Sequence, residues 1–338
     1  GAVIAGAFEA FKFPAYSAAI STMVDKSQYG RTSAMMSLAD AASGIFAPIV
    51  GAALYATFRL EGVLLIDMLT FSFAVGALMF VYIPPAEPAA HDSEGKGSLL
   101  TEAAYGFRYI VKRPSLLGLQ LVFFFGNFLG TFMFVLFSPM ILARTGNDEF
   151  AVASTVIAMS VGGLAGGVMM SAWGGPKRRV WGVLWGWLLS GLFGQVLFGM
   201  GQTLPVWIVM GAISSLFIPV VNASNQAIWM SKIPPQLQGR VFSARRLIAQ
   251  VTTPLAMLIV GPLADYVFEP MMRDGTGIGA VFAPIVGTGS GAGMGLLMVI
   301  SGVLVVLVAG VAMFTPAVRD VEAIIPDHAA PESPQPTA

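Results

Sequence analysis

Residues 24–54, "VDKSQYGRTSAMMSLADAASGIFAPIVGAAL", and residues 233–265, "IPPQLQGRVFSARRLIAQVTTPLAMLIVGPLAD", share one pattern. Each copy has a polar turn that ends in Gly-Arg, followed by an apolar segment with an interior proline and a glycine shortly beyond it. The shared positions are Gly30, Arg31, Pro48 and Gly51 in the first copy and Gly239, Arg240, Pro254 and Gly261 in the second. The copies are too far apart for a solenoid repeat and suit a six-helix half with its linker. The repeat therefore predicts two similar halves.

The composition is that of a polytopic membrane protein. Of the 338 residues, 56% are hydrophobic and 11% are charged, whereas about 25% charge is usual in a soluble domain. The net charge is zero, so bulk electrostatics gives no support for a nucleic-acid partner. There is no cysteine, and His91 and His328 lie in polar stretches, which argues against thiolate metal sites and imidazole chemistry in the apolar core. We expect neither an enzyme nor a cofactor or metal site.

Nine apolar segments are long enough to cross a bilayer, which takes about 20 residues in a helix. They are residues 1–24, 33–57, 61–83, 115–143, 149–172, 180–200, 204–230, 241–267 and 292–316. Helices are expected because open strands cannot satisfy their backbone groups in lipid.

Basic residues near the span ends set the orientation, because they stay cytoplasmic. Alternate connections contain Lys26, Arg31, Lys96, Arg108, Lys112, Arg113, Lys177, Arg178, Arg179, Lys232, Arg240, Arg245, Arg246 and Arg319. The opposite side has Arg59, Arg144 and Arg273. We therefore expect a multi-pass protein of the inner (plasma) membrane with a cytoplasmic C-terminus. Its tryptophans suit interfacial positions: Trp173 and Trp181 flank one basic loop, and Trp207 and Trp229 lie near other span ends.

The register of the repeat gives the domain organisation. Six spans follow a polar linker, and the second Gly-Arg pair joins the fourth and fifth of them. By the same register the first Gly-Arg pair joins a fourth and a fifth span. Three helices are therefore expected before the first residue, and nine of twelve are present. The predicted parts are residues 1–83, the fourth to sixth helices of the N-terminal half; 84–114, a cytoplasmic linker with an amphipathic helix; 115–316, the six-helix C-terminal half; and 317–338, a disordered cytoplasmic tail. Two halves related by a parallel repeat are typical of secondary transporters, whose substrate site lies between the halves.

Four stretches resemble the major facilitator superfamily, and specifically its drug:proton antiporter branch that includes macrolide-efflux proteins. They are "GGVMMSAWGGPKRR" (166–179), "SGIFAPIVGA" (43–52), "NQAIWMSKIPPQLQGRVFSARRLIAQ" (225–250) and "GPLADYVFEP" (261–270). The first resembles the family's glycine-acidic-basic loop through Gly174, Gly175, Lys177, Arg178 and Arg179, but the acidic residue is absent. The second resembles the antiporter motif, with Pro48 and Gly51 in its proline and glycine positions. The resemblance implies an all-α two-half bundle and export.

Ionisable groups near the middle of a span indicate function by default, since each costs ~2.5–3.5 kcal/mol on insertion scales. Glu9 and Lys12 stand at i and i+3 of one helix, where they can pair. Either Glu9 exchanges a proton while Lys12 tunes it or contacts substrate, or the two neutralise each other as a structural pair. Asp40 is a second proton-coupling candidate, with a buried structural partnership as the alternative.

Polar residues on predicted helices are candidates for a substrate cavity. Asn222, Asn225, Gln226 and Trp229 crowd one helix at spacings that share a face, and Asn127 lies on another. Amides in lipid can equally act as helix-helix contacts worth about 0.6–2 kcal/mol each, so both interpretations stay open.

The sequence predicts a secondary active transporter that exports amphipathic organic compounds, such as macrolide-like drugs, by proton-coupled alternating access. Its expected partners are a small amphipathic substrate, protons and the lipid bilayer, and we expect a monomer. The alternatives are an exporter of a siderophore or lipid-like metabolite, or a non-transporting membrane sensor or scaffold.

Overall fold

The computed structural model describes residues 50–51, 54, 57–59, 61–76, 99–273 and 278–327. The chain divides into two compact units, Gly1–Lys96 and Gly97–Ala338. In the first unit residues 61–76 form a helix whose side chains are mostly exposed. The predicted spans 1–24 and 33–57 lie wholly or largely outside the described residues.

The described part of the second unit is built from helices, which we number in chain order. They are α1 (Leu99–Val111), α2 (Pro114–Thr145), α3 (Glu149–Trp173), α4 (Arg179–Gly191), α5 (Leu204–Lys232), α6 (Pro235–Leu263), α7 (Ile278–Val286), α8 (Ala292–Phe314), α9 (Pro316–Arg319) and α10 (Val321–Ile324). Two of them continue through a π-helical segment. α4 runs on through Leu192–Leu197 to Phe198–Met200, and α6 through Ala264–Phe268 to Glu269–Arg273.

Six of these helices, within the described residues, are long and apolar enough to cross a membrane. They are α2, α3, α4 with its continuation, α5, α6 with its continuation, and α8. They coincide with the spans that the sequence predicts between residues 115 and 316. Across the described residues every regular element is helical, and the predicted fold class, an all-α membrane bundle, is confirmed.

Prolines and left-handed glycines mark where the helices begin and end. Pro114, Pro235 and Pro316 each stand at the first helical position, where the missing N–H costs nothing. Gly146 and Gly174 end α2 and α3 with φ of 69° and 77°, a region that side chains with a Cβ rarely adopt. The chain therefore reverses in short connections, which suits antiparallel neighbours.

Different basic residues mark the two ends of the six-helix bundle. Arg178, Lys232 and Arg319 cluster where α4 begins and where α5 and α9 end, and we call this the basic end. Arg144, at the last turn of α2, contacts the connections that precede α5 and α8, and we call this the opposite end.

The most extensive contact between two helices is that of α3 with α5. Gly162 and Gly166, one turn apart on α3, lie directly against the backbone carbonyls of Ala212 and Leu216 on α5. A methyl group at either glycine would overlap its facing carbonyl oxygen. Small residues spaced in this way let helices approach closely in a membrane, where packing rather than water drives association.

Candidate functional site

The three ionisable candidates for proton coupling and substrate contact, Glu9, Asp40 and Lys12, lie outside the described residues, as does Pro48. Gly51 is helical and exposed, with open space around it. The structure therefore bears on the C-terminal half of the predicted site.

The polar face of α5 is divided into two environments. Asn225 and Trp229 are buried, with 4% and 1% of their surfaces exposed. Asn222 and Gln226 are exposed. Because Asn222 and Gln226 are one turn apart, as are Asn225 and Trp229, each pair shares its own face of the helix. The four candidates do not line a single surface.

Trp229 is the centre of a small cluster between α5 and α6. Its indole Nε1 donates a hydrogen bond of 2.9 Å to Oδ1 of Asn225. The guanidinium of Arg245 lies over the ring of Trp229, 4.3 Å from the ring centre, and 5.3 Å from that of Phe242. Nη1 of Arg245 is 3.4 Å from Oε1 of Gln226. The cluster brings three of the predicted cavity residues together around an arginine.

The side chain of Asn127 forms a hydrogen bond within its own helix. Its Nδ2 donates a hydrogen bond of 2.8 Å to the carbonyl oxygen of Phe123, one turn earlier on α2. The NH₂ group of the amide is therefore bonded to the backbone, and the side chain is only partly buried.

A buried polar cluster that the sequence analysis did not single out lies in the π-helical continuation of α4. Gln195, 4% exposed, donates from Nε2 to the carbonyl of Leu129 on α2 at 3.3 Å, and its Oε1 accepts from Ser301 on α8 at 3.2 Å. Nearby, the hydroxyls of Ser190 and Ser214 lie 3.5 Å apart. π-Helical turns often occur at functional positions, and this one places an amide among three spans. A lone glutamine in an apolar segment was the signal available in the sequence.

The loop between α3 and α4 forms a tight turn at the basic end. Gly174 and Gly175 both have positive φ, of 77° and 85°, so glycine is required at both positions. Of the three cations that follow, Lys177 and Arg178 precede α4 and Arg179 is its first residue; Nη1 of Arg179 donates to the carbonyl of Ala227 on α5. The second repeat copy differs from its prediction: Gly239 and Arg240 lie within the first turns of α6 instead of in a turn. The helix begins earlier because Pro235 suits its first position.

The acidic partner of the loop comes from the C-terminal segment. Nη2 of Arg178 donates to Oδ1 of Asp320 and to the carbonyl oxygen of Arg319, each at 2.8 Å. Oδ2 of Asp320 accepts from the guanidinium of Arg319 at 2.8 Å. Hydrogen bonds from Arg319 and Arg178 lower the pKa of the Asp320 carboxyl to about 2. The carboxylate that this loop lacks in sequence is supplied 142 residues later.

Three further contacts attach the same segment. Oε2 of Glu322 accepts from the backbone N–H of Val180 at 3.0 Å, a favourable place for a negative charge at the start of α4. Lys232, 6% exposed, forms an ion pair of 2.7 Å with Asp327 and donates to the carbonyl oxygen of Glu322. Its ammonium group lowers the pKa of the Asp327 carboxyl.

These contacts change the expectation for the tail. The sequence places residues 317–338 in a disordered tail, whereas the structure folds residues 316–324 into α9 and α10 and joins residues up to 327 to the basic end. The polar composition that predicted disorder supplies the carboxylates that dock the segment. Residues 328–338 lie outside the described part of the chain.

Acidification is expected to loosen the docked segment between about pH 4 and pH 2. Because the folded-state pKa of Asp320 lies below its ordinary value of 3.8, its contribution to docking is complete above that value and is lost as the pH falls towards 2. Hydrogen exchange of the α9 and α10 amides, corrected for chemical exchange rates, measures the loss. In Asp320→Asn the protection should be lower at neutral pH and should depend less on pH in this window. Identical acid profiles for the two proteins would refute the role of Asp320.

The opposite end contains an open cavity of about 380 Å³. Its lining consists of Asp265, Glu269, Pro270, Arg273, Ser290 and Met294. Glu269 is already engaged, since its carboxylate accepts from the N–H groups of Gly291 and Met294 at 3.2 and 3.0 Å. Among the described residues no three His, Cys, Asp or Glu side chains come together as metal ligands would.

Comparison with known proteins shows similarity to membrane carriers. The model of the Major Facilitator Superfamily matches residues 1–257. Macrolide efflux protein A of Streptococcus pyogenes is 23% identical over 257 residues, which are 76% of this chain and 63% of the relative. The chain thus spans less than two thirds of that relative's length.

Two other relatives are similar. Macrolide efflux protein A of Enterococcus faecalis is 23% identical over 249 residues, 73% of this chain and 76% of the relative. An uncharacterized MFS-type transporter of Bacillus subtilis (strain 168) is 26% identical over 250 residues, 70% of this chain and 57% of the relative. No solved structure shows a significant match.

Proposed function

The chain belongs to the Major Facilitator Superfamily, and from this premise we propose that it is a secondary active transporter that exports amphipathic organic compounds in exchange for protons. The family match is the observation that carries the proposal, because it runs through residues 1–257 and so includes the first copy of the repeat and most of the second. The names of two relatives, macrolide efflux protein A, point to macrolide-like cargo.

The proposed mechanism assigns separate tasks to the two halves. Glu9, and with it Asp40, carries the proton, since a carboxylate within a span is costly unless it is used. Lys12, three residues after Glu9 on the same helix, neutralises the Glu9 carboxylate when it is ionised. Pro48 kinks its helix, and Gly51 keeps one face of that helix small. Rocking of the halves around a central site exchanges cargo for protons.

The basic end and the membrane placement are part of the same proposal. The protein is a multi-pass membrane protein, and we place it in the inner (plasma) membrane as a monomer, with its basic end and C-terminus in the cytoplasm. In that orientation Gly174, Gly175 and the three cations after them form a cytoplasmic turn. The segment docked through Asp320 then closes over the cytoplasmic start of α4.

Replacing Glu9 with glutamine is expected to abolish proton-driven export. In everted vesicles that contain the full-length protein, an acid interior should drive uptake of radiolabelled erythromycin. Glu9→Gln cannot bind and release a proton, so its uptake should fall to that of empty vesicles, whereas Glu9→Asp should retain part of it. Uptake with and without a protonophore is the measurement.

Glu149→Gln provides the matched control. Glu149 is exposed at the start of α3, so removal of its charge should leave uptake unchanged. Undiminished, protonophore-sensitive uptake in Glu9→Gln would contradict the assignment of Glu9. Absence of any substrate-dependent proton flux in the parent protein would instead favour a sensor or scaffold.

A second class of cargo, an anionic siderophore or lipid-like metabolite, is favoured by one observation. Arg245 lies beside predicted cavity residues, and among the described residues it contacts two aromatic rings and an amide but no carboxylate. Uptake of such anions in the same vesicles, in competition with erythromycin, separates the two classes.

A further inference from the structure

Arg245 has an unusual environment for an arginine in a membrane span. Its guanidinium packs on Trp229 and Phe242 instead of extending along the helix surface. Its Nε is buried and has no hydrogen-bond acceptor among the described residues, while Nη1 has one long hydrogen bond, 3.4 Å, to Gln226. A guanidinium carries several N–H donors and no acceptor. Most of its capacity to bind an anion is unused by the described residues.

Among the described residues no carboxylate forms an ion pair with Arg245. Residues 150–264 contain no aspartate or glutamate, so α4, α5 and α6 offer Arg245 no carboxylate, and the single acid of α3, Glu149, lies at its first residue, at the opposite end of the bundle. The ion pairs formed by the acidic C-terminal segment go to Arg178, Arg319 and Lys232. A cation–π contact offsets only part of the cost of burying a charge.

Lys232 and Arg144, two cations that are also partly or fully buried, show the contrast. Lys232 has Asp327 and a carbonyl as partners. Arg144 donates to three carbonyl oxygens at the opposite end. Both are satisfied by the protein itself, whereas Arg245 keeps unpaired donors next to an exposed amide.

The site around Arg245 is held in place by its neighbours. The hydrogen bond from Trp229 to Asn225 fixes the indole that supports the guanidinium. On the exposed side of α5, Asn222 and Met230 lie one turn before and one turn after Gln226, and both are exposed. A cation, two amides and an apolar side chain are therefore available together at the surface of this helix pair.

We propose that Arg245, with Trp229 beneath it and Gln226 beside it, binds the anionic group of an amphiphile, a carboxylate or phosphate joined to an apolar body. The planar guanidinium matches two oxygens of such a group. The apolar body lies along the exposed side of α5 near Met230. The proposal deepens the proposed function, since it assigns a charge to a molecule that the C-terminal half holds.

The test measures binding of decanoate, by calorimetry, to the full-length protein in phosphatidylcholine nanodiscs. The parent should bind decanoate saturably and at least tenfold more tightly than decyltrimethylammonium, which has the same tail and the opposite charge. Arg245→Gln should weaken decanoate binding at least tenfold and leave the cation unaffected. Arg113→Gln is the matched control, because Arg113 also stacks on an aromatic ring, 3.6 Å from the centre of Tyr109, and this variant should bind as the parent does.

Two results would overturn the site: equal decanoate affinity in Arg245→Gln and the parent, or no preference of the parent for the anion over the cation. The second result needs no variant, so the test holds even if Arg245→Gln fails to fold. Phosphatidylglycerol added to the nanodiscs identifies the source of the anion. If phosphatidylglycerol competes with decanoate in the parent but not in Arg245→Gln, a lipid headgroup occupies the site at Arg245. If phosphatidylglycerol does not compete, a soluble amphiphile occupies it.

The outcome is separable from that of the transport proposal. Arg245-dependent binding without any proton-driven uptake contradicts transport alone. Proton-driven uptake together with decanoate binding that ignores Arg245→Gln contradicts the anion site alone.

Discussion

Replacing Gly166 with alanine is expected to destabilise the helical bundle by about 2–3 kcal/mol, the upper part of the range for an overpacked core. The added methyl group would overlap the carbonyl oxygen of Leu216 on α5. Because that atom belongs to the backbone of a helix, no side-chain rotation relieves the overlap, and α3 and α5 must separate. A second substitution, Gly162→Ala, meets Ala212 in the same way and should lower stability further.

Gly167→Ala is the control for helix propensity on the same helix. A methyl group at Gly167 meets nothing within 4 Å, so this change should be neutral or stabilise by up to about 1 kcal/mol. Thermal unfolding midpoints and size-exclusion profiles in one detergent measure both variants. Equal midpoints for Gly166→Ala and Gly167→Ala would show that the close approach of α3 and α5 does not limit stability.

The spans and their turns were predictable from sequence because local signals set them. Apolar length defines each span, and Pro114, Gly146 and Gly174 mark three of the boundaries through their own backbone preferences. Gly239 and Arg240 show the limit of this approach. The Gly-Arg pattern indicates a turn, yet the better N-terminal signal, Pro235, lies a turn earlier and starts the helix there.

Side-chain roles were less predictable because they depend on neighbours distant in sequence. Trp207 and Trp229 lie near span ends, which suggests interfacial positions, but both are fully buried and use their indole N–H groups inside the protein. Spacing alone also cannot separate the face of Asn222 from that of Asn225, since that division depends on which helix packs against α5. Sequence shows the polar residues, and packing decides which of them remain open to a ligand.

The partners of charged residues were the hardest to anticipate. The loop motif lacks its acid, and within the loop nothing indicates a substitute. Asp320 provides one from the far end of the chain, and the polar tail composition that supplies it predicts disorder. The sequence shows where the cations are, but only the fold shows which carboxylate pairs with each of them.

Replacing Arg144 with glutamine is expected to cost about 3 kcal/mol and to lower the unfolding midpoint by roughly 6–12 °C. At the last turn of α2, its guanidinium donates to the carbonyl oxygens of Val286 and Gly291, at 2.8 and 3.3 Å, and to that of Gly201. One side chain thereby joins α2 to the connections that precede α5 and α8. Glutamine is too short to serve all three, and buried carbonyls left without donors carry the penalty.

Arg273→Gln tests whether the charge itself matters at this end. Arg273 is exposed and lines the open cavity, so its loss should change stability by no more than about 0.5 kcal/mol. Arg144→Lys should recover part of the loss, because an ammonium group still donates but cannot span three acceptors as a planar guanidinium does. A midpoint for Arg144→Gln that matches Arg273→Gln would mean that the helices hold α2 against these connections without the arginine. If Arg144→Gln instead falls well below both, the connections that precede α5 and α8 depend on this residue for their attachment to α2.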